Sequence, residues 1–236
     1  MKLFTINKCG NVLFLILVAI ALFAALSYAV TQSGRSGGNV DKELALLQVS
    51  NTVQYASSVR QAVSKLRING CSEREISFEN STVTLYSNPY APSDNSCHVF
   101  DPAGGGISFS PPTQGINDGS NWEFSAIAQV IGQGQSTPDT LVDAHTDLAM
   151  YLRGVHQEAC ETANKETGLS SIPVDNGDLT PDPFRGAYDN NDILDGCTPN
   201  CTTIAASPFS VSRPSMGCFQ ENDTGDYVIF RVLLPR

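Results

Sequence analysis

Residues 11–30 read NVLFLILVAIALFAALSYAV, and this stretch decides how the rest of the chain is organised. No charged residue lies between Cys9 and Gly34. As a helix, Val12–Val30 would be about 28 Å long at roughly 1.5 Å per residue, close to the ~30 Å hydrocarbon core of a bilayer. The stretch therefore predicts a transmembrane helix over residues 11–32, with the polar remainder of the chain outside the cytoplasm.

Three interpretations of this N-terminal region stay open. Lys2 and Lys8 precede the apolar run, and Ser27-Tyr28-Ala29 ends it as a small-x-small motif, which is typical of a cleaved secretory signal. The run is longer than the usual apolar region of such a signal, which favours an uncleaved anchor oriented by the two lysines. The third interpretation depends on Gly10, which directly precedes the run.

A short basic leader that ends in Gly10 and is followed at once by an apolar helix resembles the leader of type IV prepilins and type II secretion pseudopilins. The resemblance implies that residues 1–10 form a leader peptide and that a prepilin peptidase cuts between Gly10 and Asn11. It also implies that the helix stays in the inner membrane until the subunit joins a filament. The chain departs from the family pattern at Asn11, where pilins usually carry Phe or Met, and at Leu15, where most carry Glu.

A second helix is predicted at residues 40–66, after a flexible Gly/Ser-rich joint at residues 33–39. Asn39 is the expected N-cap, and Asn69-Gly70 is the expected stop. Apolar residues recur at helical spacing and predict one buried stripe: Leu44, Leu47, Tyr55, Val59, Ala62, Val63 and Leu66. An apolar helix, a joint and an amphipathic helix on a globular head resemble the first helix of pilins, although an ordinary linker after an anchor explains the same pattern.

The sequence predicts an α+β fold, in which the extracytoplasmic head spans residues 40–236. Partial alternation of apolar residues predicts an antiparallel sheet with strands near residues 76–87, 107–110, 121–131 and 227–234. One further helix is predicted over Thr137–Gly168, with Thr137 as N-cap and Gly168 as the stop. Its expected buried stripe is Leu141, Leu148, Leu152, Val155 and Ala159.

Six cysteines follow the apolar helix: Cys71, Cys97, Cys160, Cys197, Cys201 and Cys218. An even number of cysteines in an exported domain predicts disulfides, whereas a zinc site would need paired spacings that this chain lacks. We expect Cys71 to pair with Cys97, Cys160 with Cys218, and Cys197 with Cys201. The last pair is held close by its short loop, and the other two would tie helix ends to loops.

The net charge is −10, from 24 acidic and 14 basic residues, which disfavours nucleic acid as a partner. No HExxH motif occurs, and the single GxSxG match, Gly34-Arg35-Ser36-Gly37-Gly38, lies in the Gly/Ser-rich joint rather than at a strand-to-helix turn, so we predict no catalytic residue and no enzyme activity. His156 and Cys160 have the spacing of a helical metal pair, in competition with a disulfide at Cys160. Weak calcium candidates occur in an acidic loop, at Asp189, Asn191, Asp192 and Asp195, and no other cofactor is expected.

The function predicted from these features is that of a pilin-like or pseudopilin-like subunit. The resemblance implies a single-pass inner-membrane protein whose head faces the periplasm or the cell surface. Its expected partners are other copies of itself or other pilin-like subunits, through the N-terminal helix, and a prepilin peptidase. The alternative is a membrane-anchored or secreted, disulfide-stapled binding domain that forms no filament.

Overall fold

The computed structural model describes residues 10–33, 37–130, 133, 146–175, 183–186, 203–204 and 215–236. By its contacts, the chain divides between Leu44 and Ala45 into two compact units. The first unit contains helix α1 (Gly10–Ser33) and the beginning of helix α2 (Gly37–Ile68). Gly37 to Asn39 are therefore helical, and the prediction that they belong to a flexible joint capped by Asn39 is wrong for these residues. The second unit contains the rest of α2 and all the elements that follow.

A mixed sheet forms the framework of the second unit. Its described strands are β1 (Glu123–Val130), β2 (Asp147–Val155), β3 (Val174–Asp175), β4 (Thr203–Ile204), β5 (Met216–Glu221) and β6 (Tyr227–Leu234). Their order is β3-β5-β6-β2-β1-β4. The four longer strands pair antiparallel, whereas β3 pairs with β5, and β4 with β1, in parallel at the edges. Helix α3 (Gln157–Glu166) follows β2, so the architecture is α+β, as the sequence predicts.

Helix α2 buries one stripe against the sheet. The stripe consists of Val49, Thr52, Ala56, Val59, Ala62, Val63 and Leu66, all nearly inaccessible to solvent. Their spacing of three and four residues keeps them on one side, at about 100° per residue. The prediction is correct for Val59 to Leu66 but wrong for Leu44 and Leu47, which are 52% and 61% exposed and precede Val49, where the buried stripe begins.

Helices α2 and α3 end in the same way, at the glycines that the sequence marks as stops. Gly70 has a φ of +99° and Gly168 a φ of +83°, a backbone conformation that residues other than glycine rarely adopt. The next residue then donates its N–H to a carbonyl five residues back, from Cys71 to Leu66 and from Leu169 to Asn164. These bonds satisfy carbonyls that a helix end otherwise leaves without partners.

The helix predicted over Thr137–Gly168 is wrong over residues 147–155. Residues 137–145, which include Leu141 and His145, lie outside the described residues. Residues 147–155 form β2, and α3 begins only at Gln157, with His156 as its N-cap. Leu148 and Leu152 are buried, as predicted, because a spacing of four residues places two side chains on one face of a strand as well as of a helix.

The strands predicted near residues 76–87 and 107–110 are also wrong. In residues 76–87, the side-chain oxygen of Asn80 accepts N–H groups from Thr82 and Val83, and this turn ends the extended run. A short 3-10 helix follows at Thr84–Tyr86, and only Ser77 forms a bridge, to His98. Residues 107–110 form no strand, because Pro111 and Pro112 follow at once and the Ser110 N–H donates to the Tyr55 hydroxyl.

Strand β1 falls within the predicted 121–131, and β6 matches 227–234. A bulge between Ser125 and Ala128 adds one residue to β1 relative to β2. Trp122 and Phe124 therefore belong to the core between the sheet and α2, whereas Val130 packs in a second buried cluster with Tyr151 on the other face of β2. Strict alternation along residues 122–130 would place Trp122, Phe124 and Val130 on one face, and the bulge moves Val130 to the other.

Candidate functional site

The main candidate surface is the apolar surface of α1, formed by Val12 and residues 14–28. This helix carries no charged residue. Its described large apolar side chains are between 40% (Val18) and 75% (Phe23) exposed. These side chains are Val12, Phe14, Leu15, Ile16, Leu17, Val18, Ile20, Leu22, Phe23, Leu26 and Tyr28. A helix that is apolar on every side is normally covered by lipid or by other helices.

The predicted cleavage junction lies between Gly10 and Asn11, the first two residues of α1 that the structure describes. Leu15, at the position where most pilins carry Glu, is 61% exposed. Among the described residues, no helix meets the combined length and hydropathy needed to cross a bilayer.

Two of the predicted disulfides are present. Cys71 is bonded to Cys97, which ties the end of α2 to the loop before β1. Cys160 is bonded to Cys218, which ties α3 to β5. The second bond removes Cys160 as a metal ligand for His156. Cys197 and Cys201 lie outside the described residues.

The weak calcium candidates, Asp189, Asn191, Asp192 and Asp195, also lie outside the described residues. Within the part of the chain that the structure describes, no group of three or more His, Cys, Asp or Glu side chains is placed to hold a metal ion. His98, the other described histidine, takes part in the bridge to Ser77.

Sequence reasoning missed an ion-pair network across the sheet. The Arg153 guanidinium on β2 donates from Nε to Glu123 on β1 at 2.9 Å and from Nη1 to Glu221 on β5. Burial acts to lower the pKa of Arg153, but the hydrogen bonds and charges of the two carboxylates raise it overall. Thr224 donates a further hydrogen bond to Glu221. The sequence prediction places Arg153 in a helix. Only its assignment to strand β2 would have shown that its side chain reaches Glu123 on β1 and Glu221 on β5.

A second missed feature is the buried carboxyl group of Asp147, at the start of β2. One carboxylate oxygen accepts the backbone N–H of Val130 at 2.8 Å, and the other accepts that of Arg236 at 2.9 Å. Burial raises the pKa of Asp147 to about 6, against the opposing effect of these bonds and of the Arg236 charge. The signal for this site is a lone Asp ahead of the apolar run LAMYL.

The described side chains thus provide structural ion pairs, two disulfides and a large exposed apolar surface. Comparison of the sequence with protein-family models and with curated proteins, and of the fold with solved structures, gives no significant match.

Proposed function

We propose that this chain is a pilin-like subunit, held in the inner membrane by α1 and able to assemble into a type IV-family filament. The observation that carries the proposal is the apolar surface of α1, on which eleven large side chains are at least 40% exposed without a single charge. In water such a surface favours association with lipid or with other apolar helices. Assembly would bring the α1 helices of neighbouring subunits together and remove this surface from water.

The layout of α2 also supports the proposal. Its C-terminal half packs through the stripe Val49 to Leu66 on an antiparallel sheet, and its end is tied to the head by the Cys71–Cys97 bond. This is the amphipathic half-helix on a disulfide-stapled head that the resemblance to pilins implies. Partners in this proposal are other copies of the chain or other pilin-like subunits, and the head faces the periplasm or the cell surface.

Processing of the N-terminus tests the proposal. Protein from the native host should begin Asn-Val-Leu-Phe, because the proposed cut follows Gly10. Gly10→Val should abolish the cut and leave the leader attached. Ala29→Leu is the matched control, because it alters the small-x-small motif that a signal peptidase would use and should leave processing unchanged. N-terminal sequencing and mass spectrometry of each variant give the readout.

Two outcomes contradict the proposal: a mature protein that starts at Val30, or one in which Gly10→Val is processed like the unchanged chain. A chain cut after Gly10 should in addition yield filaments that an antibody to the head labels in electron micrographs of sheared surface fractions. The alternative, an anchored or secreted binding domain without a filament, predicts no such labelled filaments.

A further inference from the structure

A groove of about 540 Å³ lies between the C-terminal half of α2 and strand β6, within the second unit. Helix α2 supplies six of its lining residues and β6 supplies one. They are Ser57, Arg60, Gln61, Ser64, Lys65, Ile68 and Arg231. The groove therefore contains three cationic side chains and no acidic one, in a chain where acidic residues outnumber basic ones by 24 to 14.

The three cations have only neutral partners among the described residues. Arg60 donates from Nη1 to the Ser215 hydroxyl at 3.3 Å, and Lys65 donates to the Gly105 carbonyl at 3.3 Å. The Nε of Arg231 is buried and has no hydrogen-bond partner within the described parts of the chain. The ion pairs between described residues involve other cations, namely Arg67, Arg153 and Arg236.

Arg60 and Arg231 also act on each other as like charges. Burial, and after it the neighbouring charge of Arg60, lowers the pKa of Arg231. Arg231 lies between the buried residues Ile229 and Leu233 on β6, so its position is set by the packing of the sheet. The fold thus holds the guanidinium groups of Arg60 and Arg231 near each other and leaves the buried Nε–H of Arg231 without a hydrogen-bond partner among the described residues. A bound anion would offset the repulsion between the two positive charges.

We infer that this groove is a binding site for an oxyanion, a carboxylate or a phosphate, held between Arg60 and Arg231 with Lys65 at its side. The guanidinium group presents a planar fork of N–H donors that matches the oxygens of both anions. The two guanidinium groups, neither of which has an acidic partner among the described residues, would donate to such oxygens. The inference does not depend on filament assembly, because all the residues involved lie in the second unit.

Thermal unfolding of the full-length chain in detergent tests the site. Inorganic phosphate and succinate are titrated separately, with sodium chloride keeping the ionic strength constant. A ligand that binds only the folded state raises Tm in proportion to the logarithm of its concentration above Kd. A rise in Tm with either anion, together with a saturable binding isotherm for that anion, supports the site. The anion that acts at lower concentration identifies the source as phosphate or carboxylate, and no response to either anion overturns the inference.

Arg60→Gln separates a binding role from a structural one. It should weaken the binding of the active anion roughly tenfold, since it removes a charged hydrogen-bond donor. In buffer without that anion, the same variant should unfold at an equal or higher temperature than the unchanged chain, because the like charge beside Arg231 is gone. Lys65→Gln should weaken anion binding to a smaller degree. Because Lys65 is exposed on α2, this second variant still tests the site if Arg60→Gln fails to fold.

Arg185→Gln is the matched control, because Arg185 is exposed, lies outside the groove and donates to the Leu85 carbonyl. It removes the same charge from the molecule and should leave the anion response unchanged. An anion response that is undiminished in Arg60→Gln, or that falls equally in Arg185→Gln, would show that the effect is one of overall charge and would overturn the site.

Discussion

Asp147 joins two segments that are far apart in the sequence. Its carboxylate accepts the backbone N–H groups of Val130 on β1 and of Arg236 beyond β6, so one side chain holds the ends of two strands. The residue is completely buried. Both carboxylate oxygens are used as acceptors, which stabilises the ionised form, but burial outweighs this and raises the pKa to about 6.

The raised pKa of Asp147 predicts a pH-dependent contribution to stability. The ordinary pKa of the group is 3.8, so between about pH 4 and pH 6 the folded state binds a proton more readily than the unfolded state. The contribution of Asp147 to the free energy of unfolding should therefore fall as pH rises through this window, by up to about 3 kcal/mol at 1.36 kcal/mol per pKa unit, and stay level above it.

Asp147→Asn isolates this effect, because the amide does not titrate. The free energy of unfolding of the unchanged chain, relative to that of Asp147→Asn, should be lower at pH 7 than at pH 4 when both are measured by urea denaturation. An equal difference at the two pH values would show that Asp147 titrates in the folded chain as it does in the unfolded one.

Helix α3 is attached to strand β5 by a covalent bond and by one amide side chain. Beside the Cys160–Cys218 disulfide, the buried Asn164 donates from Nδ2 to the Cys218 carbonyl and accepts the Cys218 N–H at Oδ1, both at 2.7 Å. At Cys218, one edge of β5 pairs with β6. On the opposite edge, the Asn164 amide makes the hydrogen bonds that a neighbouring strand would otherwise make.

Asn164→Ala should therefore destabilise the folded chain by about 2 kcal/mol or more, because it leaves both backbone groups of Cys218 without a partner. Thr162→Ala is the matched truncation on the same helix. Its hydroxyl donates only to the Glu158 carbonyl one turn earlier, so the expected cost is within about 0.5 kcal/mol. Urea denaturation under non-reducing conditions measures both variants. Equal costs would mean that Asn164 contributes no more than a surface side chain.

At the level of elements, the sequence predicts those segments whose local pattern has one solution. The glycine stops of α2 and α3 and strand β6 belong to this class, whereas the two observed disulfide pairs were expected from the even number of cysteines and not from a local pattern. Strand β2 does not, because Leu148 to Leu152 is apolar on both faces and a central strand cannot be distinguished from a buried helix by periodicity alone. The Asn80 turn depends on two hydrogen bonds that its side chain accepts, and the β1 bulge depends on the register with β2, and the apolar pattern specifies neither.

For the whole molecule, the division between Leu44 and Ala45 predicts that the head is soluble on its own. A fragment of residues 41–236 lacks the apolar surface of α1 and keeps the stripe from Val49 to Leu66, and it should be a monomer without detergent. The matched fragment, residues 11–236, should need detergent or associate. Size-exclusion chromatography with light scattering measures both. A 41–236 fragment that still needs detergent would mean that a second large apolar surface lies on the head.

The predictable part of the candidate site is its apolar helix, because the 26 uncharged residues from Cys9 to Gly34 can be recognised in the sequence without knowledge of any packing partner. The groove between α2 and β6 was not predictable in this way. Arg60 and Arg231 are 171 positions apart, and they meet only because β6 packs beneath α2. Likewise, Arg153 reaches both Glu123 and Glu221 only through the order of the strands.

The position of β6 sets the order in which a newly made head can fold. This strand is the last of the six to be synthesised, yet it lies in the middle of the sheet between β5 and β2. The sheet therefore cannot close while the chain is still emerging, and Cys160 must wait 58 residues for its partner, whereas Cys71 waits only 26. A head that reaches an export channel during synthesis arrives as an open chain, with its N-terminal disulfide able to form first and its sheet completed only after residue 234 has crossed.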